Sequence, residues 1–184
     1  MESKVDKREK CIILGPSGSG KDYLKRKLVE KGLIPLVKYT TRPKRTGEVE
    51  GVEYRFVTRE EFEEKDSVSS FWSKQEFTVW PKEGEPQIWI YGISAEDFEN
   101  SQVMILTPGE FSQLSGRERK NLFVVYLDIP EKIRRERIMV RRDPNDNIDR
   151  RIAADALDFQ DFGDYDLKIR DHEFDVDMVW DLMY

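Results

Sequence analysis

One short segment near the N-terminus has residue types and spacing suited to binding a chain of phosphates. It reads Gly15-Pro16-Ser17-Gly18-Ser19-Gly20-Lys21, with Asp22 next. Its glycines allow the backbone to bend so that successive N–H groups point at phosphate oxygens, and Lys21 can reach the β- and γ-phosphates of a nucleoside triphosphate. An apolar run precedes the segment and a helical pattern follows it, so a helix N-terminus adds its positive end. The segment therefore predicts an ATP-binding P-loop rather than a Gly/Ser-rich turn without a ligand.

Asp22 departs from the usual P-loop pattern, in which a Ser or Thr follows the lysine and its hydroxyl contacts Mg²⁺. A carboxylate is a hard oxygen ligand that Mg²⁺ accepts. It would repel the phosphates unless the ion lay between them. We predict that Asp22 holds Mg²⁺ directly or through a water. The alternative is a carboxylate that only favours the first turn of the helix.

A second group of cationic and phenolic residues suits a single phosphate monoester. Arg42 and Arg45 flank a proline turn and can fork onto the oxygens of one phosphate. Tyr54 and Tyr91 can each donate a phenolic O–H to the same group. The alternative is a solvated basic turn with structural tyrosines.

The segment from Thr40 to Val57 resembles the guanylate kinase family. The family pattern T-T-R-x-x-R-x-G-E-x-x-G-x-x-Y-x-F-V is filled at every fixed position, and Tyr91-Gly92 resembles the family's Tyr-Gly pair. The resemblance implies ATP-dependent phosphorylation of a nucleoside monophosphate, in the first place GMP or dGMP, with Mg²⁺. It implies that Glu48 orients an arginine and that the acceptor phosphate is held by Arg42, Arg45, Tyr54 and Tyr91.

Recognition of the acceptor base follows the family pattern less closely. In the family a carboxylate reads the guanine N1 and N2 hydrogens, and Gln75-Glu76-Phe77 is the best local match, so Glu76 is the predicted base contact. The alternative is an ordinary surface glutamate. Lys38 occupies the position of a family serine that contacts the guanine oxygen, and its ammonium can donate to O6. Thr107-Pro108-Gly109 stands where a further acidic contact is expected, and residues 81–89 resemble an insertion.

A third group of arginines resembles the family's helix-to-lid segment. Arg137 and Arg141 are four positions apart and share a helix face, and Arg151 matches the arginine that returns from the far side of the lid. Phosphoryl transfer needs positioning and charge neutralisation more than covalent work by the protein. The resemblance implies that these arginines close over the phosphates with Lys21. The alternative is an exposed, salt-bridged helix.

Alternating apolar and helical patterns predict the scaffold that positions these groups. Predicted strands are Lys10–Leu14, Leu33–Tyr39, Val103–Leu106, Leu122–Ile129 and Asp166–Arg170. Predicted helices include Asp22–Lys31, Arg59–Lys65, Glu131–Val140, Ile148–Phe159 and Val176–Leu182. This order predicts an α/β P-loop NTPase fold of three layers with a parallel central sheet. We expect a core of residues 1–39 and 95–184, an inserted mostly-β subdomain at 40–94 that binds the nucleoside monophosphate, and a helical lid at about 137–151.

The composition and net charge indicate which kinds of binding partner to expect. The 184 residues carry a net charge of −6 with a pI near 5.1, which disfavours non-specific binding to nucleic acid. The single cysteine, Cys11, precludes an intrachain disulfide. We find no apolar segment typical of a signal peptide or a membrane span. The expected partners are ATP and a nucleoside monophosphate, with no nucleic acid or membrane, in a cytoplasmic monomer or homodimer.

Two other functions remain open from the sequence. A kinase for another small phosphate, such as a deoxynucleoside monophosphate or ribose 1,5-bisphosphate, is suggested because Lys21-Asp22 also resembles the ribose bisphosphate phosphokinase branch. A non-catalytic guanylate-kinase-like module that binds protein is the second. Such modules usually have a degraded phosphate loop, whereas Gly15 to Lys21 is intact here. His172 lies in an acidic loop and is expected at the surface, apart from the chemistry.

Overall fold

The structure, a computed structural model, describes residues 8–69, 71–79, 85–140 and 147–184. Within these ranges the chain forms two compact units. The core unit comprises the described residues of Met1–Pro35 and Gln102–Tyr184, and the inserted unit is Leu36–Ser101. No helix in the described ranges is both long enough and apolar enough to cross a membrane.

The elements alternate along the chain as an α/β protein requires. The strands are β1 (Lys10–Leu14), β2 (Lys38–Thr40), β3 (Tyr54–Phe56), β4 (Phe71–Val79), β5 (Gln87–Ser94), β6 (Val103–Ile105), β7 (Leu122–Leu127) and β8 (Leu167–Ile169). The helices are α1 (Lys21–Glu30), α2 (Arg59–Val68), α3 (Ala95–Asn100), α4 (Pro108–Phe111), α5 (Gly116–Lys120), α6 (Glu131–Val140), α7 (Ile148–Asp158) and α8 (Val176–Met183).

The core unit is built on a parallel sheet with strand order β6-β1-β7-β8. β1 lies between β6 and β7, and every residue of β7 is buried, as parallel strands covered on both faces require. One face packs on α1 and α8 through Ile13, Leu28, Val125 and Val179. On the other face, the Tyr126 ring stacks on Phe159 with centroids 5.5 Å apart. The predicted parallel central sheet flanked by helices is confirmed.

The inserted unit carries a second sheet with strand order β3-β2-β5-β4. β2 pairs parallel to β3 and antiparallel to β5, and β4 and β5 form a long antiparallel hairpin. α2 covers one face, where the Phe62 and Phe71 rings stack with centroids 4.5 Å apart. A Cβ on Gly92 would lie 2.7 Å from the Phe62 ring, so only glycine allows this close packing. The opposite face carries Tyr54 and Tyr91.

The predicted strand Leu33–Tyr39 is wrong in most of its length, because β2 begins only at Lys38. Pro35 has no N–H to donate to a ladder. It makes a single isolated bridge to Val103 instead. The apolar side chains that suggested a strand, Leu33 and Leu36, are buried without forming one.

Candidate functional site

The P-loop joins β1 to α1 and has the backbone shape expected for phosphate binding. Gly18 and Gly20 have φ angles of +77° and +101°, which residues with a Cβ rarely adopt. Gly18 also lacks space for a side chain, since a Cβ would lie 2.7 Å from the carbonyl oxygen of Arg134. Gly20 is the N-cap of α1 and gives it no side-chain cap. The first-turn N–H groups of α1 are therefore presented to an anion.

Lys21 begins α1 and folds back over the P-loop. Its Nζ donates to the carbonyl oxygens of Gly15 at 2.6 Å and Pro16 at 2.9 Å. The half-buried ammonium is thus held beside the amides of the loop. An anion at this loop meets both a fixed positive charge and N–H donors.

Helices α6 and α7 hold the P-loop through a largely buried ion pair. The Ser17 N–H donates to Asp155 Oδ2 at 2.9 Å and its hydroxyl donates to Oδ1 at 3.2 Å. Arg134 Nη1 lies 3.6 Å from the same Oδ2. Arg134 is buried and also donates to the carbonyl oxygens of Ile129 at 3.0 Å and Ser17 at 3.4 Å. Because a buried charge needs a partner, this network ties the loop to α6 and α7.

Sequence reasoning missed both members of this pair. Asp155 lies 138 positions from Ser17 and belongs to no motif. Arg134 is one of several arginines between positions 131 and 142, and its spacing does not distinguish it from the others. The available signal was a carboxylate on a turn of α7 that otherwise consists of small residues, Ala153, Ala154 and Ala156.

Replacing Asp155 with Ala is expected to raise the KM for ATP about tenfold and to lower the melting temperature. Ser17 would lose two hydrogen bonds and Arg134 would remain buried beside no carboxylate. Steady-state kinetics and thermal unfolding measure the two effects. Asp158→Ala, an exposed carboxylate on the same helix, is the matched control. A KM for ATP within twofold of the wild-type value would contradict this role.

The structure describes two of the three predicted lid arginines. Arg137 Nη1 donates to the carbonyl oxygens of Gly18 and Ser19, each at 3.2 Å, and its Nη2 donates to the carbonyl oxygen of His172 at 3.2 Å. Arg151 lies on α7 one turn before Asp155, so it shares the helix face that contacts the P-loop. Arg141 lies outside the described residues.

A cavity of about 530 Å³ opens beside the P-loop within the core unit. One wall is aromatic, since the rings of Tyr23 and Phe174 meet edge to face with centroids 6.1 Å apart. His172 is exposed, as predicted for a surface residue, and it also lines the cavity. An aromatic wall with an arginine beside it suits a planar base attached to phosphates. The lining residues are Gly18, Gly20, Asp22, Tyr23, Glu136, Arg137, Val140, His172 and Phe174.

Asp22 fits a magnesium ion carried by a nucleotide. It is exposed in the first turn of α1 and lines the same cavity as Gly18 and Gly20. Mg²⁺ is usually held by one or two carboxylates together with substrate phosphates and several waters. In the described ranges no group of three or more His, Cys, Asp or Glu side chains could hold a metal by itself. An ion held by Asp22 would therefore be completed by phosphate oxygens and waters.

In the inserted unit, Arg42 and Glu48 form a buried ion pair. Arg42 Nη2 donates to Glu48 Oε1 at 2.7 Å, and Nη1 donates to the carbonyl oxygen of Pro43 at 2.8 Å. Glu48 Oε2 accepts from the Arg45 N–H at 2.7 Å. Burial lowers the pKa of Arg42, but the hydrogen bond to Glu48 and the negative charges of Glu48 and the neighbouring phenols together raise it. Burial raises the pKa of Glu48, but the hydrogen bonds from Arg42 and the Arg45 N–H, together with the positive charges of both arginines, lower it overall.

The predicted tyrosines lie next to this pair. The Arg42 guanidinium lies 5.2 Å from the Tyr54 ring centroid, and the Tyr54 and Tyr91 centroids are 5.7 Å apart. One guanidinium and two phenols therefore belong to one face of the second sheet. Arg45 is half-buried in the adjoining turn, and Lys38 pairs with Tyr54 in the sheet.

Glu76 is not brought to this face. In the ladder of β4 and β5, Gln75 pairs with Tyr91 while Glu76 pairs with Ile90. Because side chains alternate along a strand, Glu76 projects from the face opposite that of Tyr91. The structure therefore separates the predicted base contact from the other predicted acceptor residues and places Gln75 beside them.

The chain is similar to guanylate kinases both in sequence and in fold. A family model described as Guanylate kinase matches residues 7–183. The guanylate kinase of Mycoplasmopsis pulmonis is 27% identical over 183 residues, covering 91% of this chain and 89% of the relative. That of Symbiobacterium thermophilum is 45% identical over 62 residues, but this match spans only 29% of the relative's length and 33% of this chain. The crystal structure of guanylate kinase from Anaplasma phagocytophilum has the same fold, with a TM-score of 0.62 and 20% identity over 96% of this chain and 83% of that one.

Proposed function

Because the chain belongs to the guanylate kinase family, we propose that it transfers the γ-phosphoryl group of ATP to GMP or dGMP, giving ADP and GDP or dGDP. The observation that carries the proposal is the presence of two anion-binding groups in one chain. The first is the P-loop with Lys21 folded over it. The second is the Arg42–Glu48 pair beside Tyr54 and Tyr91.

The ATP phosphates bind at the amides of Gly18 to Asp22, with Lys21 beside the β- and γ-phosphates. The base of ATP enters the cavity between the P-loop and Phe174. Arg137, Arg141 and Arg151 neutralise charge on the transferred group, since a spread of negative oxygens is what this transition state presents. They also exclude water, which would otherwise accept the phosphoryl group.

The acceptor phosphate is gripped by Arg42, Arg45, Tyr54 and Tyr91. The guanidinium of Arg42 donates one hydrogen bond to Glu48 and one to the carbonyl oxygen of Pro43. A guanidinium has five N–H donors in all. The remaining donors face a phosphate while the ion pair keeps the group rigid. An acceptor phosphate oxygen then attacks the γ-phosphorus, and the bond from that phosphorus to the β-bridging oxygen breaks.

Asp22 is the residue that would hold Mg²⁺, which when bound neutralises charge on the β- and γ-phosphates. Replacing Asp22 with Ala is expected to raise the Mg²⁺ concentration for half-maximal activity roughly tenfold. Asp22→Ser should restore part of the loss through its hydroxyl. A titration of Mg²⁺ at fixed ATP, together with calorimetry of ATP binding with and without Mg²⁺, measures the effect. An unchanged metal dependence in Asp22→Ala would remove this assignment.

A kinase for another small phosphate is the second candidate, favoured by Glu76 lying on the face away from Tyr91. A coupled assay of ADP release with GMP, dGMP, AMP, UMP, dTMP and ribose 1,5-bisphosphate separates the two. Turnover with ribose 1,5-bisphosphate alone would overturn the proposed function. A protein that neither binds ATP with Mg²⁺ nor turns over any of these acceptors would instead be a non-catalytic module.

A further inference from the structure

We propose that the acceptor base is read by Gln75 and Lys38, and that the enzyme therefore accepts any base with a carbonyl next to a ring N–H without requiring the 2-amino group of guanine. This inference rests on the proposed function, because it concerns the same acceptor site. The bases with that edge are guanine, hypoxanthine, uracil and thymine.

The pairing of the strands places Gln75 on the face that carries the phosphate-binding residues. Gln75 pairs with Tyr91, and Tyr91 pairs with Thr40 of β2. Residues paired directly across a sheet share a face. The Phe77 ring, two positions after Gln75, lies 5.6 Å from the Tyr91 ring. This contact fixes the orientation of β4 independently of the ladder.

The other face of the hairpin belongs to α2. Lys74 Nζ donates to Asp66 of α2 at 2.8 Å, and a Cβ on Gly92 would meet Phe62 of α2. Glu76 follows Lys74 by two positions and so projects on the same side, where it is exposed. Glu76 is the only acidic residue in the described residues of β2, β3, β4 and β5. The face with Tyr91 therefore presents no strand carboxylate.

Two further features of this face point to a polar ligand. Lys38 pairs with Tyr54, whose ring contacts Tyr91, so its side chain shares the face. Ser73, two positions before Gln75, is buried, and its hydroxyl has no hydrogen-bond partner within the described residues. This side of the hairpin therefore carries polar side chains at both positions.

The chemistry of the two side chains defines the edge that they recognise. The carboxamide of Gln75 accepts from a ring N–H and donates to a neighbouring carbonyl oxygen. Lys38 only donates, so it requires an acceptor such as O6 of a purine or O4 of a pyrimidine, and it opposes the amino groups of adenine and cytosine. Both side chains flank β5, and the strands that carry them lie about 10 Å apart, which leaves room for a base between them.

The missing carboxylate removes the contact that would select the 2-amino group. A carboxylate accepts from N1–H and N2–H together, whereas one carboxamide oxygen beside a carboxamide N–H does not. Sites that lack a partner for a substrate hydrogen-bonding group discriminate weakly, while sites with such a partner discriminate strongly. We expect kcat/KM for IMP to lie within about tenfold of that for GMP. AMP and CMP are expected to be poor acceptors.

The test is a set of steady-state measurements with GMP, IMP, dTMP and AMP on three variants. Gln75→Glu supplies a carboxylate on the Tyr91 face and should raise the GMP:IMP ratio of kcat/KM about tenfold or more. Glu76→Gln makes the opposite change on the α2 face and should leave the ratio unchanged if Gln75 reads the base. Gln87→Glu is the matched control, since Gln87 is an exposed glutamine four positions from Tyr91 on β5.

Three outcomes would overturn the inference: a wild-type preference for GMP over IMP of a hundredfold or more, a ratio unmoved by Gln75→Glu, or a ratio that collapses in Glu76→Gln. Failure of the proposed function appears differently, as absence of turnover with every nucleoside monophosphate. In that case, calorimetric titration of GMP and IMP into the wild type and Gln75→Glu still reports the base contact. Circular dichroism confirms that each variant is folded.

Discussion

Replacing Lys21 with Ala is expected to lower kcat by about 10³-fold or more while the fold is retained. Removing a single charge-stabilising donor from an active site typically costs 10²- to 10³-fold, and Lys21 carries a full charge in a loop that otherwise offers only amides. Because Lys21 is half-buried, its attraction to a phosphate is stronger than the same attraction would be in water. The loss is greatest in kcat, because negative charge on the β-side oxygen grows as the γ-phosphoryl group leaves.

The measurement is the separate effect on kcat and on KM for ATP, with thermal unfolding as a check on folding. The KM for ATP is expected to rise only severalfold, since the amides of the loop still hold the phosphates. Lys27→Ala is the matched control, because Lys27 lies on the same helix and forms an exposed ion pair with Glu30. Retention of kcat within tenfold in Lys21→Ala would exclude Lys21 from the chemical step.

The P-loop could be predicted from the sequence because all of its determinants are local. Three glycines, a lysine and the flanking strand and helix lie within about twenty residues, and each has its own backbone or charge requirement. Helix α6 was predicted with both of its bounds, since the helical pattern begins directly after Pro130. Local signals of this kind do not depend on the rest of the fold.

The side of the hairpin on which Glu76 lies could not be predicted in the same way. A shift of one residue in strand register exchanges every side chain between the two faces of a sheet. The sequence between β4 and β5 contains no short hairpin signal from which their register could be predicted. Gln75 and Glu76 are adjacent in the sequence, and only the pairing with Tyr91 distinguishes them.

The Ser17–Asp155–Arg134 network illustrates a second limit. Each member has an ordinary local role, as a turn residue or as a charged residue on a helix. The network arises because α6 and α7 approach the P-loop in the folded core unit. Contacts between distant parts of the chain follow from packing, and a single sequence carries no spacing signal for them.

Replacing Arg42 with Ala is expected to lower kcat/KM for the acceptor about 10³-fold and to reduce the free energy of unfolding by about 3 kcal/mol. The kinetic loss is expected because the substitution removes the guanidinium that we propose holds the acceptor phosphate. The loss of stability follows because Glu48, only 15% exposed, would be left beside the Arg45 N–H without its cationic partner. Arg42→Lys keeps the positive charge but loses the bidentate hydrogen bonding of a guanidinium. Compared with Arg42→Ala, it should therefore recover more of the stability than of the activity.

Denaturant unfolding at neutral pH and acceptor kinetics measure the two effects. Lys44→Ala is the control, since Lys44 is an exposed cation in the same turn. Loss of activity without loss of stability in Arg42→Ala would contradict the ion pair, and loss of stability alone would contradict the phosphate contact.

The pH dependence of the stability difference provides a further check on the same pair. The pKa of Glu48 is lowered from its ordinary value of 4.5, because the effect of burial is exceeded by the hydrogen bonds from Arg42 and the Arg45 N–H together with the positive charges of both arginines. A carboxyl group whose pKa is lower in the folded than in the unfolded state stabilises the fold above the unfolded value, and this contribution is lost as the pH falls through the folded value. The difference in free energy of unfolding between wild type and Arg42→Ala should therefore be full at pH 7 and shrink below pH 4.5. A difference that stays constant down to acid unfolding would mean that Arg42 stabilises the protein through its contacts with Tyr54 and Phe56 rather than through Glu48.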